Sequence, residues 1–84
     1  MNRSKIIVYA LQGCDQCLHA FERISSYGCD VAYITLGISK IDAIEQADVM
    51  AFSSMYQNGS FPVIKVGDIM VKPGEAMDLI REGE

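Results

Sequence analysis

Hydrophobic positions along this chain change their spacing from segment to segment, and the changes mark its elements. Ile6, Ile7, Val8, Tyr9 and Ala10 form an unbroken apolar run rich in β-branched residues, the pattern of a strand buried on both faces. Gln12-Gly13 breaks that run. Beyond Cys14, apolar residues return at every third place, at Leu18, Phe21, Ile24 and Tyr27, which predicts a helix stopped by Gly28. Val31 to Leu36 is a second β-rich run, closed by Gly37. Ser39 and Asp42 have capping-box spacing and predict a helix over about Lys40 to Tyr56, with Ile41, Ile44, Ala47, Ala51 and Met55 on one side. Asn58-Gly59-Ser60 reads as a loop. Pro62 begins a run over Val63 to Val66, and Gly67-Asp68 joins it to Ile69–Val71 as a hairpin turn of type II′. Pro73 suits the first turn of a last short helix reaching about Arg81. The order is βαβαββα, an α/β chain read as one domain over residues 1–84 with no internal repeat or linker.

Composition narrows the function classes. The formal net charge is −4 and the seven Lys and Arg residues are scattered, so the clustered cations of a nucleic-acid footprint are missing. No apolar stretch approaches the ~20 residues of a membrane span. Arg3 and Lys5 precede the apolar run from Ile6 to Leu11, but that run is shorter than the core of a secretory signal. Three cysteines are too few for a disulfide framework and leave one thiol over. These features predict a cytoplasmic monomer.

Cys14 and Cys17 carry the chemistry. The helical period starts just after Cys14, so Cys14 sits at the helix start and Cys17 one turn inside, on the same side. Unpaired N–H groups and the positive end of the helix dipole favour a thiolate at Cys14. The thiolate is the nucleophile, so Cys14 is expected to attack a disulfide and Cys17 to resolve the product. Asp15 works against the thiolate and should make the couple more reducing. Half of many zinc sites has the same Cys-x-x-Cys spacing, and the remaining soft ligands are His19 and Cys29. His19 falls about 140° round the helix from Cys14 and about 200° from Cys17, away from the pair. It reads as an exposed helix residue, and Glu22 and Arg23 as solvated surface. Cys29 reads as a small buried hydrophobe, and Met50, Met55, Met70 and Met77 as core filler. Tyr9 and Phe61 are suited either to the core or to apolar cover beside the dithiol.

Taken together, Tyr9 at the end of the first strand, Cys14-Asp15-Gln16-Cys17, and Ser60-Phe61-Pro62 before a hairpin and a last helix resemble the glutaredoxins and the similar redoxins that serve ribonucleotide reductase. The resemblance covers nearly the whole chain. It implies a thioredoxin-like, glutaredoxin-type fold with a four-stranded mixed sheet and three helices. It also implies a thiol–disulfide oxidoreductase with no tightly bound cofactor, acting on protein or mixed disulfides. Pro62 would be a cis proline facing Cys14, presenting the backbone of Phe61 as an edge for an extended substrate. Lys72-Pro73-Gly74-Glu75 partly matches the family's glutathione-binding helix start, which points to Lys72 and Gly74 as substrate-binding residues. The motif departs from the family in having Asp15-Gln16 where Pro-Tyr is usual and no charge over Ala10 to Gly13. Two electron sources are therefore open, glutathione and a thioredoxin reductase. The alternative from another class is a non-enzymatic module that holds a metal or an iron–sulfur cluster on the dithiol.

Overall fold

A computed structural model of the chain describes residues 5–82; Arg3 and the rest of the two ends of the 1–84 span lie outside the described residues. The elements are β1 (Ile6–Ala10), α1 (Asp15–Ser25), β2 (Val31–Thr35), α2 (Ala43–Tyr56), β3 (Val63–Val66), β4 (Ile69–Val71) and α3 (Pro73–Glu82), the predicted βαβαββα order. They form a mixed four-stranded sheet in the order β2-β1-β3-β4. β1 pairs parallel with β2 and antiparallel with β3, and β3 pairs antiparallel with β4. The unbroken apolar run of β1 is explained by this central place, with a strand on either side and helices over both faces.

Side chains alternate across the sheet and build two cores. On one face, Ile6, Val8, Ile64 and Val71 pack with Ile24 of α1 and with Ala76 and Ile80 of α3. On the other, Tyr9 and Val63 pack with Val49 of α2, and this cluster continues to Cys17 and Phe61 at one end of the sheet. Gly67 has φ +64° and no positive φ occurs at Asp68, as a type II′ hairpin turn requires.

The structure corrects three expectations. The second helix begins at Ala43, not Lys40: Asp42 is its N-cap and accepts the Ile44 N–H at 3.0 Å. Ser39 does not take part in a capping box; its hydroxyl accepts the Thr35 N–H and closes the turn after β2. The inward side of α2 is also different from the one expected. Val49, Phe52 and Ser53 face the sheet together with Glu45, while Ile44 and Met55 are 71% and 70% exposed and Ala47 and Ala51 lie with them. Apolar residues occur on almost every side of α2, so periodicity could not single out a face. The polar residues turn inward because each has a partner there: Glu45 accepts from the Tyr9 hydroxyl and Ser53 donates to the Ser60 carbonyl.

Two smaller corrections concern α1 and the methionines. Leu18 is exposed, because the sheet-facing stripe runs through Cys17, Phe21 and Ile24. Met50 and Met55 are surface residues, whereas Met70 and Met77 pack against the two cores as expected. Cys29 is half-buried against the α1–α3 core.

The two cores and the reversed face of α2 give a direct expectation for stability. Ile64→Ala, in the centre of the sheet, should lower the unfolding free energy by about 2–5 kcal/mol. Ile44→Ala, on the outer side of α2, should cost well under ~1 kcal/mol. Urea unfolding of the two variants checks this; equal losses would contradict the observed orientation of α2.

Candidate active site

Sheet register brings the chemistry to one end of the molecule. Tyr9 of β1 lies opposite Val63 of β3, so the loop leaving β1 and the loop entering β3 meet at the same edge. Ile64 lies opposite Val71, so β4 delivers Lys72, Pro73 and Gly74 to that edge as well. The dithiol, the Phe61-Pro62 segment and the start of α3 thus come together from three distant parts of the chain.

The loop after β1 is a turn in which the Cys14 N–H donates to the Leu11 carbonyl at 3.2 Å. Gly13 occupies its third position with φ +79°, the type II geometry; a Cβ there would meet nothing, so the backbone angle alone calls for glycine. Cys14 then takes the N-cap position of α1 with extended φ and ψ, and its Sγ accepts the Cys17 N–H at 3.2 Å. A thiol-derived sulfur thereby occupies the place usually held by a serine or aspartate oxygen. Cys14 and Cys17 are disulfide-bonded, with Cα atoms 5.4 Å apart. Their surroundings differ: Cys14 is partly exposed, while Cys17 is fully buried in the cluster with Tyr9, Val49 and Phe61. Asp15 is exposed in the first turn of α1.

Opposite the dithiol, the Phe61–Pro62 peptide bond is cis, and both side chains are buried. The chain reaches it through Asn58 and Gly59, with φ of 54° and 78°. Side chains from the end of α2 hold this loop. Gln57 Nε2 donates to the carbonyls of Ser60 and Pro62, both at 3.0 Å, and Ser53 Oγ donates to Ser60 O at 2.7 Å. Ser60 Oγ returns a bond to the Gln57 carbonyl at 2.6 Å. The Gln57 amide oxygen is buried without a partner among the described residues. Its orientation is nevertheless dictated, since turning the amide over would set that oxygen against two carbonyls. Between the two tethered carbonyls, the backbone N–H and C=O of Phe61 make no hydrogen bond among the described residues.

Beneath the site, the fully buried Tyr9 donates its hydroxyl to Glu45. Burial, then the hydrogen bond and charge of Glu45, push the phenol above its ordinary value of 10.0. Lys72 is exposed at the start of α3, and its N–H is accepted by Glu75 Oε1 at 3.1 Å, one half of a capping box. Gly74 borders a groove together with Gln16. His19 is exposed, and Cys29 belongs to the other core, so neither joins the dithiol. Among the described residues no group of three or more His, Cys, Asp or Glu side chains converges, and no helix is long and apolar enough to cross a membrane.

Ser53, Gln57 and the Tyr9–Glu45 pair were not found from sequence. Their one signal is polarity at inward positions of a helix otherwise apolar on nearly every side. Gln57 gives the test of the loop's support. Gln57→Ala leaves two carbonyls short of a donor and should lower stability by about 1–3 kcal/mol. Gln57→Glu sets a carboxylate against them and should be worse still. Thermal melts at neutral pH read the order; a Gln57→Glu variant as stable as the parent would contradict it.

No protein-family profile and no curated protein sequence matches the chain. Among solved structures, it is similar to the glutaredoxin of Archaeoglobus fulgidus, at 27% sequence identity and a TM-score of 0.60. The similarity covers 93% of this chain and 87% of that one. Strand order, helix placement and a Cys-x-x-Cys pair at the start of α1 accord with that likeness, and the chain is glutaredoxin-like.

Proposed function

We propose that this chain is a thiol–disulfide oxidoreductase that reduces protein or mixed disulfides through Cys14 and Cys17. The observation that carries the reading is the asymmetry of the pair: a partly exposed cysteine at a helix N-terminus bonded to a fully buried one. In the reduced protein, the Cys14 thiolate attacks one sulfur of a substrate disulfide. The substrate S–S bond breaks, one substrate thiolate leaves and takes a proton, and Cys14 is held in a mixed disulfide. The Cys17 thiol then gives up its proton and attacks Cys14 Sγ. The mixed disulfide breaks, the second substrate thiol is released, and the Cys14–Cys17 disulfide remains. Two electrons have moved from the dithiol to the substrate.

The Cys17 N–H supports a negative charge on Cys14 Sγ by a charge-assisted hydrogen bond, and the α1 dipole acts in the same sense. Asp15 opposes both and makes the dithiol a stronger reductant; its exposure keeps that effect small. The unpaired backbone of Phe61 offers one donor and one acceptor to an extended substrate segment, and Pro62 adds no competing N–H. Lys72 and Gly74 complete the substrate-binding edge at the start of α3. Glutathione or a thioredoxin reductase returns the electrons, and ribonucleotide reductase is the kind of enzyme such a donor serves. The setting is a reducing compartment such as the cytoplasm, which keeps the third thiol, Cys29, free.

Cysteine-to-serine variants separate this reading from a metal- or cluster-holding module. With insulin as substrate, Cys14→Ser should abolish reduction. Cys17→Ser should accumulate a mixed disulfide between Cys14 and the substrate, seen as a mass adduct. Stoichiometric bound metal with no reduction by the unmutated protein would support the module instead.

A further inference from the structure

Beside the dithiol, α1 and α3 leave an open groove of about 340 Å³. Gln16, His19 and Arg23 line its α1 wall, Pro73 and Met77 its α3 wall, and Ile64 its floor. The three α1 residues follow one another at spacings of three and four, on a single side of the helix. The groove therefore starts inside the Cys-x-x-Cys segment and runs two turns along α1, ending at a guanidinium.

The charge at that end is unpaired among the described residues, where the ion pair found is Arg81 with Asp78. Nearby carboxylates are engaged or turned aside. Glu75 is bonded to the Lys72 N–H and Asp78 to Arg81, and Glu22 lies about 100° round α1 from Arg23. In a chain of net charge −4, this is a local cationic end to a mostly apolar channel. An aliphatic stem ending in a carboxylate matches it, with the stem against Met77 and the acid on Arg23.

We infer that the groove seats the disulfide-bearing substrate polypeptide and selects an acidic side chain about three residues from its reactive cysteine. The inference rests on the oxidoreductase reading above. The spacing follows from geometry. The seven steps along α1 from Gln16 to Arg23 rise about 10 Å at ~1.5 Å per residue. An extended polypeptide covers that distance in about three residues at ~3.3 Å each. Arg23 acts on the choice of substrate and not on the sulfur chemistry.

The test is single-turnover reduction by the fully reduced full chain, which requires no assumption about its electron source. The substrates are peptides whose cysteine is capped as a hydroxyethyl mixed disulfide, with Glu or Gln three residues to either side. Uncharged hydroxyethyl disulfide and glutathione disulfide serve as comparisons. The expected preference for Glu over Gln is about two- to fivefold in second-order rate constant, the range of an exposed ion pair, and it should fall with added salt. Arg23→Ala should erase it, Arg23→Glu should reverse it, and Arg23→Lys should keep most of it. Hydroxyethyl disulfide should react equally with all four proteins. Normal reduction of hydroxyethyl disulfide with no Glu preference, or a preference that survives Arg23→Glu, would overturn the groove assignment alone. So would a dependence on Arg23 confined to glutathione disulfide. Failure of the parent protein to reduce any of these disulfides would overturn the oxidoreductase reading, and this inference with it.

Discussion

The site depends on the position of β1 between a parallel and an antiparallel neighbour. A parallel β1–β2 pair forces α1 to start where β1 ends, since the crossover has to carry the chain back along the sheet. An antiparallel β1–β3 pair then places the beginning of β3 beside that same point. The helix N-terminus that holds Cys14 and the cis Phe61–Pro62 loop are thus neighbours because of strand direction, although 47 positions separate Cys14 from Phe61. Burial of β1 on both faces makes the arrangement stable, because shifting its register by one residue would move Val8 and Tyr9 to opposite cores.

Around that frame, polar groups inside the protein hold the parts that chemistry needs. α2 presents Glu45 and Ser53 inward, and Gln57 at its C-cap: one accepts from Tyr9 beneath the dithiol and two grip the loop carrying Pro62. Each such bond contributes only about 0.5–1.5 kcal/mol net. Leaving a buried partner unsatisfied costs more, so together they specify the loop more than they stabilise the fold. The result is a stretch of backbone with tethered carbonyls on both sides and unpaired groups in the middle, next to one partly exposed cysteine and one buried one.

Much of this was legible in the sequence wherever a local rule was strong. The run Ile6–Ala10, Gly67 with its positive φ, Pro73 at a helix start and the Cys14–Cys17 spacing each permit few conformations. The resemblance to glutaredoxins added the cis Pro62, which no local pattern required. α2 was the place where periodicity failed. With Ile44, Val49, Phe52 and Met55 distributed round the helix, the face was settled by hydrogen-bond partners on other elements, which a pattern of hydrophobicity does not contain. Ser53 and Gln57 were missed for the same reason, as their partners are loop carbonyls. Ser39 and Asp42 had the spacing of a capping box, yet Asp42 alone caps the helix and Ser39 serves the preceding turn.

Asymmetry between two sulfurs one helical turn apart is the core of the account, and a single measurement addresses it. The reduced protein is treated briefly with substoichiometric iodoacetamide at neutral pH, and the modified cysteine is located by peptide mass mapping. The account predicts modification at Cys14, with Cys17 and the half-buried Cys29 reacting far more slowly. Equal labelling of Cys14 and Cys17, or preferential labelling of Cys17, would contradict it.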